Sequence, residues 1–181
     1  MAGAIDLPTW WKAFASVPRV QATFVQTSDS AVFGKLKRKG NVRIAKGGRL
    51  HVVYGDGLEL VADGQSLIQY DPDTRTAQRM DLRAAAMEAP LLRLLTDPAK
   101  LGRSYATEPS ANGQVRLKPL IKGLPEIRIE GSGRLPRRLA WTDATGAGQV
   151  LELLDAVMPA KEFPAETFHF QAPKGTRWIG K

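Results

Sequence analysis

The chain predicts a mainly β fold built from antiparallel strands, and three observations carry that prediction. Residues 59–72 (ELVADGQSLIQYDP) read as two strands closed by a tight Asp63-Gly64 turn. Stretches with apolar residues two apart flank this hairpin on both sides. Short clusters of Gly, Asp, Asn and Ser punctuate those stretches, as turns between strands require.

The first segment is the exception. Residues 5–17 (IDLPTWWKAFASV) place Leu7, Trp10, Trp11, Phe14 and Val17 at helical spacing, with Pro8 suited to a first turn and Pro18 as a stop. The aromatic face of this N-terminal helix is expected to pack on a sheet. Its basic anchor is Lys12 alone, which argues against a membrane-surface role.

Residues 19–27 (RVQATFVQT) set Val20, Ala22, Phe24 and Gln26 against Gln21, Thr23 and Val25, a strand with one mostly apolar face. Ser28-Asp29-Ser30 reads as a turn. Residues 32–38 and 41–45 follow, with Gly40 between them as a bulge or bend. Gly47-Gly48 leads into 49–54 (RLHVVY), and Gly55-Asp56-Gly57 into the hairpin. Val42 and Ile44, then Leu50, Val52 and Tyr54, then Leu58, Leu60 and Ala62 recur two apart. Adjacent strands thus offer one apolar face each, and a broad curved sheet with an apolar interior follows. After Asp63-Gly64, Leu67, Ile68 and Tyr70 resume a strand, which Asp71-Pro72-Asp73 stops.

Residues 81–95 (DLRAAAMEAPLLRLL) change to helix formers, split at Pro90. Leu91, Leu92, Leu94 and Leu95 make a short helix apolar nearly all round, which must be buried or cover something. The period of two returns in 104–108, 114–119, 126–130, 135–142, 149–157 and 166–170, read as strands of a sandwich or barrel. With no internal repeat and no linker, residues 1–181 are expected to form one domain.

Composition removes several functions. The absence of cysteine excludes disulfides, thiolate catalysis and Cys-based metal sites, and leaves the compartment open. No apolar run is long enough to span a membrane, and no basic n-region with a long apolar h-region follows Met1-Ala2-Gly3. His51 and His169, the two histidines, sit on separate predicted strands, so no metal site is expected. Glu126 and Glu130 alternate as solvated charges, and Asp63 and Asp71 sit at turns. Nucleophile, base and oxyanion donors cannot be assembled, so neither a catalytic residue nor a cofactor is assigned.

The formal net charge of +8 admits nucleic acid, anionic lipid or an acidic protein as partner, or simple solubility. Lys35, Lys37 and Lys39 share one strand face, with Arg38, Arg43, Lys46 and Arg49 nearby. That strip is either an anion-binding surface or a solvated face that discourages aggregation. No aromatic side chain interleaves the lysines, which argues against nucleic acid.

Several fragments line up with one family. They are Phe24-Val25-Gln26, Leu60-Val61-Ala62-Asp63-Gly64, Tyr70-Asp71-Pro72, the proline-led Pro90–Leu95 helix, the 143–149 turn (DATGAGQ), and Phe168-His169-Phe170 ahead of Pro173-Lys174-Gly175. In this order they resemble the LolA-type periplasmic lipoprotein carriers over residues 5–179. The resemblance implies an incomplete antiparallel β-barrel of about 11 strands with helices as a lid over a hydrophobic cavity. It implies a non-enzymatic monomer that takes acylated lipoprotein from an inner-membrane exporter and delivers it to an outer-membrane acceptor. Its leader would have been removed. The cavity would be lined by Phe24, Val42, Ile44, Leu50, Val52, Leu60, Ala62 and Leu67, and covered by Leu91, Leu92, Leu94 and Leu95. Where the family has a lid-holding arginine and then a tryptophan, this chain has Lys46 (or Arg49 nearby) and Val52. Lysine lacks the planar donor fork of arginine. Two further readings stand beside the carrier: the lipid-anchored acceptor of the same relay, and a carrier for another lipid or polyketide.

Overall fold

A computed structural model describes residues 16–88, 102–109, 114–132 and 135–180. Its strands are β1 (Arg19–Ser30), β2 (Gly34–Ala45), β3 (Arg49–Tyr54), β4 (Glu59–Asp63), β5 (Ser66–Asp71), β6 (Thr76–Asp81), β7 (Tyr105–Pro109), β8 (Val115–Pro119), β9 (Ile127–Ser132), β10 (Leu135–Thr142), β11 (Gly148–Val157) and β12 (Arg177–Ile179). They form one sheet in the order β12-β6-β5-β4-β3-β2-β1-β11-β10-β9-β8-β7. Every neighbour is antiparallel except β12, which runs parallel to β6. The terminal strands β12 and β7 do not pair with each other, so the sheet is open. Helix α1 (Leu82–Glu88) follows β6 directly. Asp81 caps it, its Oδ1 accepting from the Arg83 and Ala84 N–H groups at 2.9 and 3.1 Å.

Alternation decides which side chains face inward. Val20, Ala22 and Phe24 of β1, Val42 and Ile44 of β2, and Leu50 and Val52 of β3 are buried on the same face as Leu117, Ile127, Ile129 and Leu139 of the other wing. Both wings join one apolar cluster with Leu82 and Ala85 of α1, which requires the sheet to curl around them. Each side chain of this size taken fully out of water contributes about 1.5–3 kcal/mol before its ordering cost.

The half β3–β6 is covered on its outer face too. Ile68, Tyr70 and Ala77 point outward into a second cluster with Phe170. The chain after β11 reaches them by a route fixed at several points. Arg19 donates to the Pro159 and Ala160 carbonyls at 2.7 and 2.6 Å. A 3-10 helix (Ala165–Phe168) lies on β3 and β4, Phe170 packs on Tyr70 at 5.4 Å, and β12 pairs with β6.

Several sequence expectations are corrected. The described residues hold twelve strands against the roughly eleven the resemblance implies, and the three-residue β12, which lacks an alternating signature, was not among the predicted strands. The predicted 166–170 strand is not formed: its first three residues belong to a 3-10 helix that ends at Phe168, and His169 returns to extended backbone. Pro164 starts a turn in which Thr167 and His169 donate to the carbonyls of Pro164 and Glu166. Two phenylalanines two apart mimic a strand, but Phe168 packs edge-on to Phe163 while Phe170 turns to Tyr70. Ser28-Asp29-Ser30 is not a turn: β1 runs through it, and Ser30 Oγ accepts from the Val32 and Phe33 N–H groups to shape the turn beyond. Gly40 neither bulges nor bends, since β2 keeps unbroken register with β1 across it. A Cβ there would lie 2.6 Å from Phe24 Cζ, so Gly40 is the floor on which the Phe24 ring lies. The N-terminal helix, except its last two positions, and Leu91–Leu95 lie outside the described residues.

Candidate functional site

The inner face of β1–β5 is built from the residues that alternation singled out. Phe24, Val42, Ile44, Leu50, Val52, Ala62 and Leu67 are buried in the main cluster, and Leu60 packs against it half-buried. Strand pairing sets them in rows: Val42 faces Val52 and Val52 faces Leu60, while Ile44 faces Leu50, Leu50 faces Ala62 and Ala62 faces Leu67. The rows form a continuous aliphatic surface. Leu60 is its more exposed member, and therefore its accessible edge.

Above this surface the character changes. The Tyr54 hydroxyl donates to Gln26 Oε1 at 3.1 Å, and Gln149 Nε2 donates to Ser28 Oγ and Asp143 Oδ2, each at 2.8 Å. Arg38 stacks on the Tyr54 ring at 4.0 Å and binds Asp56 at 2.7 Å. Burial pushes the Tyr54 hydroxyl above its ordinary 10.0, with Arg38 opposing. Phe24 meets the same ring edge-on at 5.2 Å. An apolar floor thus ends in a hydrogen-bonded polar belt. Sequence alternation found the floor. The belt was missed because Gln26 and Gln149 read singly as ordinary polar strand residues and Ser28 as part of a turn.

Two turns at opposite ends of the sheet hold the surface in register. Asp63 Oδ1 accepts from the Gln65 and Ser66 N–H groups at 2.8 Å each. Gly64 follows at φ 102°, and a Cβ there would strike the Gly47 carbonyl, so this turn and the β2–β3 turn stack closely. Asp143 accepts from the Thr145 hydroxyl at 2.6 Å, the Thr145 N–H at 2.9 Å and the Ala147 N–H at 3.1 Å. Burial raises the Asp63 carboxyl, but the Ser66 and Gln65 hydrogen bonds outweigh it and hold it below the usual 3.8. The Thr145 hydroxyl chiefly does the same for Asp143. Stabilisation from both carboxylates is therefore complete above 3.8 and lost as pH falls through their lowered folded values. Urea midpoints should fall on acidification through this range, and the fall should be smaller in an Asp63→Asn, Asp143→Asn double variant.

The two basic residues considered as a lid latch are joined by a hydrogen bond but have different surroundings. Lys46 is exposed in the β2–β3 turn, whose Gly48 approaches Leu82 of α1; a Cβ on Gly48 would come within 3.0 Å of Leu82 Cδ2. Arg49 points outward from β3, donates from Nε to the Lys46 carbonyl at 3.0 Å, and lies over the Phe168 ring at 5.3 Å. Its guanidinium is thus on the face opposite the aliphatic surface. Among the other polar groups, His51 Nε2 lies 2.8 Å from Glu59 Oε1 on that outer face. Among the described residues there is no cluster of metal-ligating side chains.

A family model described as "Outer membrane lipoprotein carrier protein LolA" matches residues 15–171. The chain belongs to the LolA family. An outer-membrane lipoprotein carrier protein of Pseudomonas entomophila is 28% identical over 121 residues, covering 64% of this chain and 58% of that protein. The Bordetella avium protein of the same description is 27% identical over 122 residues, with 64% and 57% covered. The matched stretch thus spans little more than half of these two relatives. The Pseudomonas putida carrier is 24% identical over 182 residues, covering 96% of this chain and 86% of its own. Among solved structures, a LolA superfamily protein from Nitrosomonas europaea superposes with TM-score 0.52 at 9% identity, covering 91% of this chain and 99% of that one. An uncharacterized conserved protein from Thermus thermophilus gives TM-score 0.55 at 13% identity, covering 94% and 96%. These likenesses show the LolA-like fold, and the aliphatic surface lies on its inner face.

Proposed function

We propose that this LolA-family chain is a periplasmic carrier. As a single domain it binds the acyl chains of lipoproteins on the inner face of its sheet and shuttles them from the inner to the outer membrane. The observation that supports this most is the apolar inner face of Phe24, Val42, Ile44, Leu50, Val52, Leu60, Ala62 and Leu67, of which Leu60 is the half-buried, accessible member, bordered by a polar belt. Such a surface offers an acyl chain burial worth about 0.8 kcal/mol per methylene. A chain of about fourteen methylenes would gain roughly 10 kcal/mol, from which ordering costs are subtracted. The belt offers hydrogen-bonding groups where the apolar chain would meet the polar part of its cargo.

Leu91, Leu92, Leu94 and Leu95 are proposed as the cover that follows α1. Of the two latch candidates, Lys46 is retained because its turn adjoins α1, whereas Arg49 is engaged with Phe168 on the other face. A lysine latch gives a point charge in place of a bidentate fork, so it would hold the cover less firmly than arginine. The inner-membrane exporter and outer-membrane acceptor are the partners this role requires.

The test is uptake of a fluorescent fatty-acid probe by purified protein, with native mass spectrometry for copurified ligand. Saturable emission enhancement, reversed by unlabelled fatty acid, is expected. Protein that takes up no apolar ligand at any concentration would remove the carrier reading.

A further inference from the structure

Five large apolar side chains stand exposed on two segments that are far apart in sequence. Val32 and Phe33 occupy the β1–β2 turn and Leu36 is the third residue of β2, with Phe33 90% and Leu36 59% exposed. Leu120 and Ile121 occupy the β8–β9 connection, Leu120 at 61%. Isolated exposed apolar residues are ordinary, but a paired occurrence on projecting turns is not.

Strand register places both segments at the same end of the sheet. One row of directly opposed residues runs Leu117, Ile127, Trp141, Gln149, Ser28, Leu36 across β8, β9, β10, β11, β1 and β2. The 31–33 turn and the 120–126 connection both lie just beyond this row. Three strand spacings separate β1 from β9, or about 14 Å along the sheet. The two apolar tips therefore stand on one rim, with the β10–β11 turn between them.

Basic side chains predominate on the two segments themselves. Residues 31–40 (AVFGKLKRKG) and 115–125 (VRLKPLIKGLP) contain seven Lys or Arg side chains and no carboxylate. Lys35 is held near Asp29 at 3.9 Å, with both side chains largely in water, and Lys118 pairs with Glu108 at 2.9 Å. Of the neighbouring carboxylates, Asp56 binds Arg38 at 2.7 Å, Glu126 lies 3.4 Å from both Arg116 and Arg128, and Asp143 is occupied by Thr145, Ala147 and Gln149, so Lys37, Lys39 and Lys122 carry the excess positive charge of the two segments.

We infer that this rim docks on an anionic lipid bilayer. Phe33, Val32, Leu120 and Ile121 enter the interface while Lys35, Lys37 and Lys122 meet headgroup phosphates. The chemistry matches that of interfacial anchors, which combine shallow apolar insertion with attraction to anionic lipid. Narrow, separated tips suit a deformable lipid surface. A stable protein interface instead needs a continuous patch of about 1,000 Å² or more. The inference goes beyond acyl-chain carriage and does not depend on it, because the tips lie outside the aliphatic surface.

The test is co-sedimentation of purified protein with vesicles of phosphatidylcholine alone, or with roughly 30 mol% phosphatidylglycerol added. Sedimentation is expected with the anionic vesicles, weakening at high salt and without the anionic lipid. A Phe33→Ser, Leu120→Ser variant should bind about tenfold more weakly, as should Lys35→Glu, Lys37→Glu. Both variants should keep native circular dichroism and fatty-acid probe uptake, which separates this proposal from the carrier reading. Phe33→Trp should shift its emission to the blue on anionic vesicles. Wild-type protein that stays in the supernatant would overturn the inference. So would undiminished binding by either variant, an unshifted emission from Phe33→Trp, or binding confined to vesicles that carry a membrane protein.

Discussion

Replacing Gly40 with alanine should destabilise the protein by about 3 kcal/mol, at the upper end of overpacking costs. The new methyl group would sit 2.6 Å from Phe24 Cζ and 2.7 Å from Phe24 Cε1. It would also strike the Val53 carbonyl, which the β2–β3 pairing prevents from moving aside. Relief requires displacing the Phe24 ring, which forfeits its burial and its edge-on contact with Tyr54. The urea midpoint of the variant reads the loss. Phe24→Leu in the same chain should recover part of it, giving a positive coupling in the double-mutant cycle. A glycine that served only to bend the strand would tolerate alanine at little cost, so a near-neutral result would return Gly40 to that role.

Leu60→Glu should abolish fatty-acid probe uptake, by about a hundredfold or more, while leaving the sheet folded. A carboxylate on the aliphatic surface either costs its own desolvation or keeps water where the acyl chain must lie. Leu60 is half-buried where Leu50 and Ala62 are fully buried, so a charged side chain there can reach solvent without opening the core. Val53→Glu is the matched control, because Val53 is exposed on the outer face of the same sheet. Full probe uptake by a folded Leu60→Glu protein would detach the aliphatic surface from ligand binding. Equal loss in Val53→Glu would show that charge, and not location, was responsible.

The sheet was legible because period-two alternation encodes a face. Val20, Ala22 and Phe24, or Leu50 and Val52, declare their side with no knowledge of a partner strand. Ile68 and Tyr70 were less legible, because a strand buried on both faces shows an apolar run in which the second face is hidden. The covering of that second face was illegible. Nothing local in 163–179 announces that Phe168 and Phe170 will seat on strands far earlier in the chain. The exposed tip at Val32 and Phe33 was absorbed into a predicted strand because two apolar residues beside Gly34 satisfy a strand pattern wherever they point. The polar belt arises from cross-strand neighbours, as when Gln26 meets Gln149. That pairing depends on the register between β1 and β11, which no single segment contains.

The pairing of β1 with β11 also governs how the chain can be made. Thr23 donates its hydroxyl to the Leu154 carbonyl, 131 positions away, at the centre of the finished sheet. Until residues 148–157 have been synthesised, β1 is an unpaired edge bearing Val20, Ala22 and Phe24 beside it, and β6 waits longer still for β12. The β1–β6 half is therefore a sticky template during synthesis, and productive folding is deferred until β11 and β12 have emerged. A nascent chain of this design needs to be kept extended and apart from its neighbours until its last strands emerge.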